Sequence, residues 1–158
     1  MFFSPLANEP PLSGFAVIDL RNGHPVLDFD DSAVEVAQFT GQLPATYTGG
    51  ADIDVDLQWG ATSATSGAVV WRASLERLDT ATDIDADSFG TAVSSGAVTV
   101  PGTSGQSLVT TITLSGAGEL DSIAAGERYR LRVERLATDA ADTAAGDAEL
   151  IAASVSEA

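Results

Sequence analysis

Apolar and polar residues alternate with a period of two over much of the chain, and the alternating stretches are separated by short turn-rich breaks. The clearest stretch is Asp52-Ile53-Asp54-Val55-Asp56-Leu57-Gln58-Trp59. Ile53, Val55, Leu57 and Trp59 fall on one side, and three Asp residues and Gln58 on the other. Successive side chains of a strand point to opposite faces, whereas a helix of period 3.6 would mix the two sets. Arg128-Tyr129-Arg130-Leu131-Arg132-Val133-Glu134-Arg135 repeats the pattern with Arg on the polar side. Val69, Trp71, Ala73 and Leu75 form another apolar row against Arg72, Ser74 and Glu76. Further strands are predicted over 15–20, 26–29, 33–39, 97–100, 107–115 and 149–155.

The breaks carry turn chemistry: Asn22-Gly23, Gly49-Gly50, Ser66-Gly67, 102–105 and 116–118. Such pairs accept positive φ at low cost. One helical turn is expected over 119–125, ended by Gly126. Eight or nine short strands without long helices predict an all-β antiparallel sandwich. A jelly roll is the favoured topology and an immunoglobulin-like sandwich the alternative. Residues 14–158 form the sandwich in this reading. Residues 1–13 form an extended arm, because Pro5, Pro10 and Pro11 oppose a regular strand or helix. Phe2, Phe3 and Leu6 could anchor that arm on a neighbouring subunit. The segment 137–148, small, polar and acidic, reads as a flexible loop.

A length of 158 residues suits one domain burying roughly 70% of its unfolded surface. No run is long and apolar enough to span a membrane, and the N-terminus has neither a basic leader nor a continuous apolar run. Cys is absent, which removes disulfides, thiolate metal sites and a Cys nucleophile. Charge changes the picture more. There are 23 acidic residues against 7 basic ones, all Arg, for a net charge of −16. Nucleic acid and anionic membranes are therefore not expected as partners. The lack of Lys fits either GC-rich coding or adaptation to high salt. A hydrophobic content of 44% is too high for disorder.

Catalytic candidates are few. The only His, His24, lies in the turn-like Arg21-Asn22-Gly23-His24-Pro25 with no nucleophile elbow elsewhere, so no hydrolytic triad is expected. Acidic pairs suited to glycoside hydrolysis could arise by chance among so many carboxylates, but no exposed aromatic platform accompanies them. Asp83, Asp85 and Asp87 alternate like the start of a calcium loop. Ser88 stands where an EF-hand needs Gly, and Ser94 where it needs Glu, so only a looser Ca²⁺ or Mg²⁺ site remains conceivable. Otherwise the chain is expected to need no cofactor. Arg128, Arg130, Arg132 and Arg135 crowd eight positions, three of them on one strand face. They could dock an acidic partner or a sister subunit, or could neutralise acids on adjacent strands.

Several segments, in order, resemble a known family: Phe29-Asp-Asp-Ser32; Phe39-Thr-Gly-Gln-Leu-Pro44 with Tyr47; Ile53-Asp-Val-Asp-Leu-Gln-Trp59; Ser63-Ala-Thr-Ser-Gly67; and Val69-Val-Trp-Arg72. Asp83-Ile-Asp-Ala-Asp-Ser-Phe89, Ala125-Gly-Glu-Arg-Tyr-Arg-Leu-Arg-Val-Glu-Arg135 and Asp147-Ala-Glu-Leu150 continue the series. Together they are similar to small virion proteins of tailed phages, the jelly-roll capsid decoration (cement) proteins and their head- or tail-associated relatives. The resemblance spans most of the chain from about residue 14. It implies a sandwich that trimerises, binds the major capsid protein on the outer surface of the head and performs no catalysis. The alternatives are a carbohydrate- or receptor-binding module of a phage fibre, and a surface domain of a halophile.

Overall fold

A computed structural model describes residues 1–158. Ten strands alternate with turns: β1 (Phe2–Phe3), β2 (Val17–Arg21), β3 (His24–Phe29), β4 (Glu35–Gln42), β5 (Ile53–Gly60), β6 (Ala68–Leu78), β7 (Val93–Thr99), β8 (Leu108–Leu114), β9 (Arg128–Arg135) and β10 (Ala148–Glu157). Helical structure amounts to a 3₁₀ turn at Pro5–Ala7 and one turn, α1, at Gly116–Glu119. The first sheet runs β2-β3-β10-β5-β8, with β1 also paired to β10; the second runs β4-β9-β6-β7. All named strand pairs are antiparallel.

Leaving β1 and β2 aside, the first, eighth, third and sixth strands make one sheet, and the second, seventh, fourth and fifth the other. That order is the double Greek key of a jelly roll, and the immunoglobulin-like alternative has a different order. β2 is an added hairpin partner of β3, turning through Asn22 and Gly23, both at positive φ. Nine of the ten strands lie where alternation places them; the tenth, β1, falls in the segment expected to be irregular.

The core forms where the two inner faces meet. Ile53, Val55, Leu57 and Trp59 of β5 are fully buried, as are Trp71, Ala73 and Leu75 of β6 and Tyr129, Leu131 and Val133 of β9. Trp71 sits edge-on to both Phe29 and Trp59, at centroid distances of 5.0 and 5.6 Å. Burial of the Trp59 indole is offset by its Nε1–H donating to Thr110 Oγ1 at 2.8 Å.

The N-terminal segment is folded into this body. Phe3 pairs with Ala153 and stacks on Phe39 at 5.2 Å. Gly41 makes the room: a Cβ there would lie 2.6 Å from the Tyr129 ring and 2.9 Å from Phe3. The three prolines stand outside the two-residue strand, so their missing N–H groups do not interrupt it. Residues 8–16 then run along the edge of β4. Glu9 N donates to Gln38 O, Gln38 N to Asn8 Oδ1, Ala16 N to Val36 O and Val36 N to Gly14 O. An open edge of β4 would be a pairing hazard, and this strap covers it.

Candidate functional surfaces

The Arg row of β9 is resolved by register. Outward-facing Arg130 lies opposite Glu76 of β6, and Glu134 lies opposite Arg72. Arg130 Nε donates to Glu76, and its Nη2 to Asp87. Arg72 holds Glu134 with two bonds, 2.8 and 2.9 Å. The guanidinium groups of Arg130 and Arg132 cover the Phe89 ring at 5.0 and 5.4 Å, and Arg132 lies 3.6 Å from Glu134. Cross-strand neutralisation therefore accounts for most of the row. Arg128 is exposed and forms no ion pair. It is the only one of the seven Arg residues in that position: the other six are bound to carboxylates.

Arg135, expected to share in the docking row, does not belong to any surface. Its odd parity with Tyr129, Leu131 and Val133 turns it inward, where it is fully buried. It pairs with Asp142 and donates to three carbonyls, of Phe29 (3.1 Å), Ala144 (3.0 Å) and Gly146 (2.8 Å). Asp142 also accepts from Val70 N at 3.0 Å, so the segment 137–148, expected to be flexible, is tied to β6 and β9.

Asp83, Asp85 and Asp87 are not brought together. Asp83 Oδ1 accepts from Asp85 N at 3.0 Å in a local turn, whereas Asp87 is occupied by Arg130. No group of three His, Asp or Glu side chains is placed to share a metal ion. Phe2 and Leu6 are exposed, as an anchor on a neighbour would require; Phe3 is buried in the protein's own core.

Sequence reasoning placed Asp54, Asp56 and Gln58 on the outer face of the first sheet but did not single out the groove beside them. On that face, Thr113 donates to Asp54 and Thr111 to Asp56, each at 2.6 Å, closing two cross-strand rungs. The next rung sets Gln58 opposite Val109, which offers no partner. From Gln58 a groove of about 640 Å³ runs across to the β2–β3 hairpin, past Glu149 and Ile151. Glu149 is almost fully buried; its Oε1 accepts from Arg21 Nε at 2.7 Å and from the Thr62 hydroxyl. Arg21 also donates to Asp19 and, at 2.8 Å, to Asp28. Burial pushes the Asp28 carboxyl from 3.8 up to about 6; Asp147, Glu149 and Asp19 add to the rise, and Arg21 opposes it. Its Oδ1 is buried without a hydrogen-bond partner.

His24 lines the groove, yet its ring makes no hydrogen bond to a hydroxyl or carboxylate, so no nucleophile and base are paired. The one signal available in the sequence was the change from Asp to Gln at position 58 in an otherwise acidic row.

No protein-family model matches the chain, and no curated protein matches it by sequence.

Proposed function

We propose that the chain is a non-enzymatic virion structural protein, a decoration protein that binds the outer surface of a tailed-phage head and stabilises it. Its partners in this reading are the major capsid protein and its own copies, as a homotrimer, and neither nucleic acid nor membrane. The observation that carries the proposal is the outer edge of β2. That strand pairs only with β3, and Phe15, Val17, Ile18 and Leu20 are exposed on and beside it. The strand itself carries one acid and one base, Asp19 and Arg21, in a protein of net charge −16.

Like-charged copies repel except where charge is absent, and an uncovered apolar strand edge is a ready pairing surface. The jelly roll supplies a rigid body, and many weak contacts repeated over a symmetric shell give avidity without one strong site. The resemblance of the segments from Phe29 to Leu150 to phage decoration proteins points the same way. Fold alone would not, because jelly rolls serve many functions.

Light scattering tests the reading, with a mass near three times 16.1 kDa expected. Co-sedimentation with expanded heads is expected as well, weakened by Ile18→Lys. A strict monomer with no affinity for heads would overturn the proposal.

A further inference from the structure

The groove on the first sheet is lined by side chains with unused hydrogen-bonding capacity. Asn22, His24, Gln58 and Ser107 all line it, and none makes a side-chain hydrogen bond within the protein. The contrast is with the same sheet face one rung away, where Asp54 and Asp56 are each closed by a Thr. We propose that this groove is a binding site for a neutral saccharide. The site goes beyond the decoration reading; it shares Leu20 with the edge of β2, and its test reads sugar binding rather than attachment to heads.

The ligand class follows from the chemistry of the lining. Glu149 is 3% exposed, and its Oε1 is held by Arg21 and Thr62 while Oε2 takes no hydrogen bond from the protein. An ionised carboxylate only accepts, so the group that meets it must donate. A hydroxyl does so without bringing charge. An anion finds no free guanidinium, because Arg21 already donates from all three nitrogens, to Glu149, Asp19 and Asp28. Arg21, shared among three carboxylates, stands between an incoming cation and Glu149 Oε1, and the n-butylamine arm of the test separates a cationic ligand from a neutral one. The amides of Asn22 and Gln58 both donate and accept, which matches vicinal hydroxyls. Leu20 and Ile151 supply apolar surface for the C–H face of a sugar ring, in place of an aromatic platform.

The groove is also built into the backbone. β10 carries a register shift between Leu150 and Ala152, which sets Ile151 at the groove. Bulges re-aim side chains in this way at functional sites. A Cβ on Gly60 would lie 2.9 Å from the Gln106 carbonyl, so glycine lets the loop before β8 close against the sheet. The volume of about 640 Å³ falls within the roughly 300–1,000 Å³ that suits a small ligand.

The test is amide chemical-shift mapping of the full chain. Maltohexaose, cellohexaose, mannotriose and chitotriose are titrated to about 10 mM, an order of magnitude above a weak Kd of about 1 mM. At least one of them should shift Asn22, Gln58, Gly60 and Ser107 together. Gln58→Ala and Ser107→Ala each remove hydrogen-bonding groups from the lining, so they should weaken that binding by about tenfold. Both should leave the melting temperature and attachment to heads unchanged. No groove shift with any of the four sugars would overturn the proposal. So would groove shifts produced by n-butylamine or sulfate alone, or sugar-induced shifts confined to another surface.

Discussion

Arg135 and Asp142 form an ion pair, 2.9 Å from Nη2 to Oδ1, at a site where both side chains are excluded from solvent. Removing one member of such a pair strands the other as an uncompensated charge. Arg135→Met is therefore expected to cost about 3–5 kcal/mol, read by urea unfolding. It should also unprotect the amides of Val70 and Thr143 in hydrogen exchange. Adding Asp142→Asn should recover part of the loss, because the Asn oxygen can still accept from Val70 N. A single variant as stable as the parent would show that the pair does not anchor the segment 137–148.

Phe2 and Phe3 are neighbours with opposite fates. Phe3 stacks on Phe39 and meets Tyr129 edge-on, while Phe2 faces solvent. Phe3→Ala should destabilise the protein by about 3 kcal/mol or more, as buried Phe truncations do. Phe2→Ala should change stability by no more than about 0.5 kcal/mol. Denaturant titration separates the two. Deleting residues 1–12 removes β1 and much of the strap on β4 together, so lower stability and edge-to-edge association are expected.

How much of this was legible in the sequence depends on whether the information was local. Period-two alternation identified nine strands, because facing one core and one solvent layer forces it. It also carried, unused, the fact that Arg135 shares the parity of Tyr129 and Leu131 and so must point inward. β1 was not legible: two residues cannot show a period, and its place depends on β10, some 150 positions away. The groove was hidden for the same reason. Asn22, Gln58, Ser107 and Glu149 come from four segments that only the double Greek key brings side by side.

Asp28 gives the protein a distinctive response to pH. Its carboxyl titrates near 3.8 when unfolded and at about 6 when folded. Between those values the folded state retains a proton that the unfolded chain has released. The contribution to stability is complete below the unfolded value and is lost as the pH rises through about 6. Glu35 and Asp147 are raised in the same direction by burial. Asp19, Asp30 and Glu127 are held below their ordinary values and act oppositely at the acid end, so melting temperature should fall as the pH rises from about 5 to about 7. Asp28→Asn should flatten that fall, leaving the part owed to Glu35 and Asp147. A variant with an unaltered slope would remove Asp28 from the explanation.

Calcium should have little hold on the acidic loop between β6 and β7. Binding through Asp83, Asp85 and Asp87 would require Arg130 to release Asp87 and would leave that guanidinium without one of its carboxylates. Titration calorimetry with Ca²⁺ is expected to give no heat, and the melting temperature should not rise. Measurable heat that disappears in Asp87→Asn would revive the site.

Glu76 holds the same loop from beneath. It is 1% exposed, and its Oε1 accepts from both the backbone N–H and the hydroxyl of Ser88, at 2.8 and 3.0 Å. Its Oε2 accepts from Arg130. One buried carboxylate thus fastens the loop that carries Phe89 onto the outer face of the second sheet, where Arg130 and Arg132 cover the ring. Glu76→Ala should free the segment 79–92 while the two sheets stay paired, because the inner face of β6 does not depend on it. Limited proteolysis is expected to cut within that segment in the variant and not in the parent. Glu76→Gln keeps one acceptor and gains a donor that faces Arg130 unfavourably, so it should restore Ser88 but not Arg130 and give intermediate protection. Equal cleavage of parent, Ala and Gln proteins would mean that the loop is held by its other contacts.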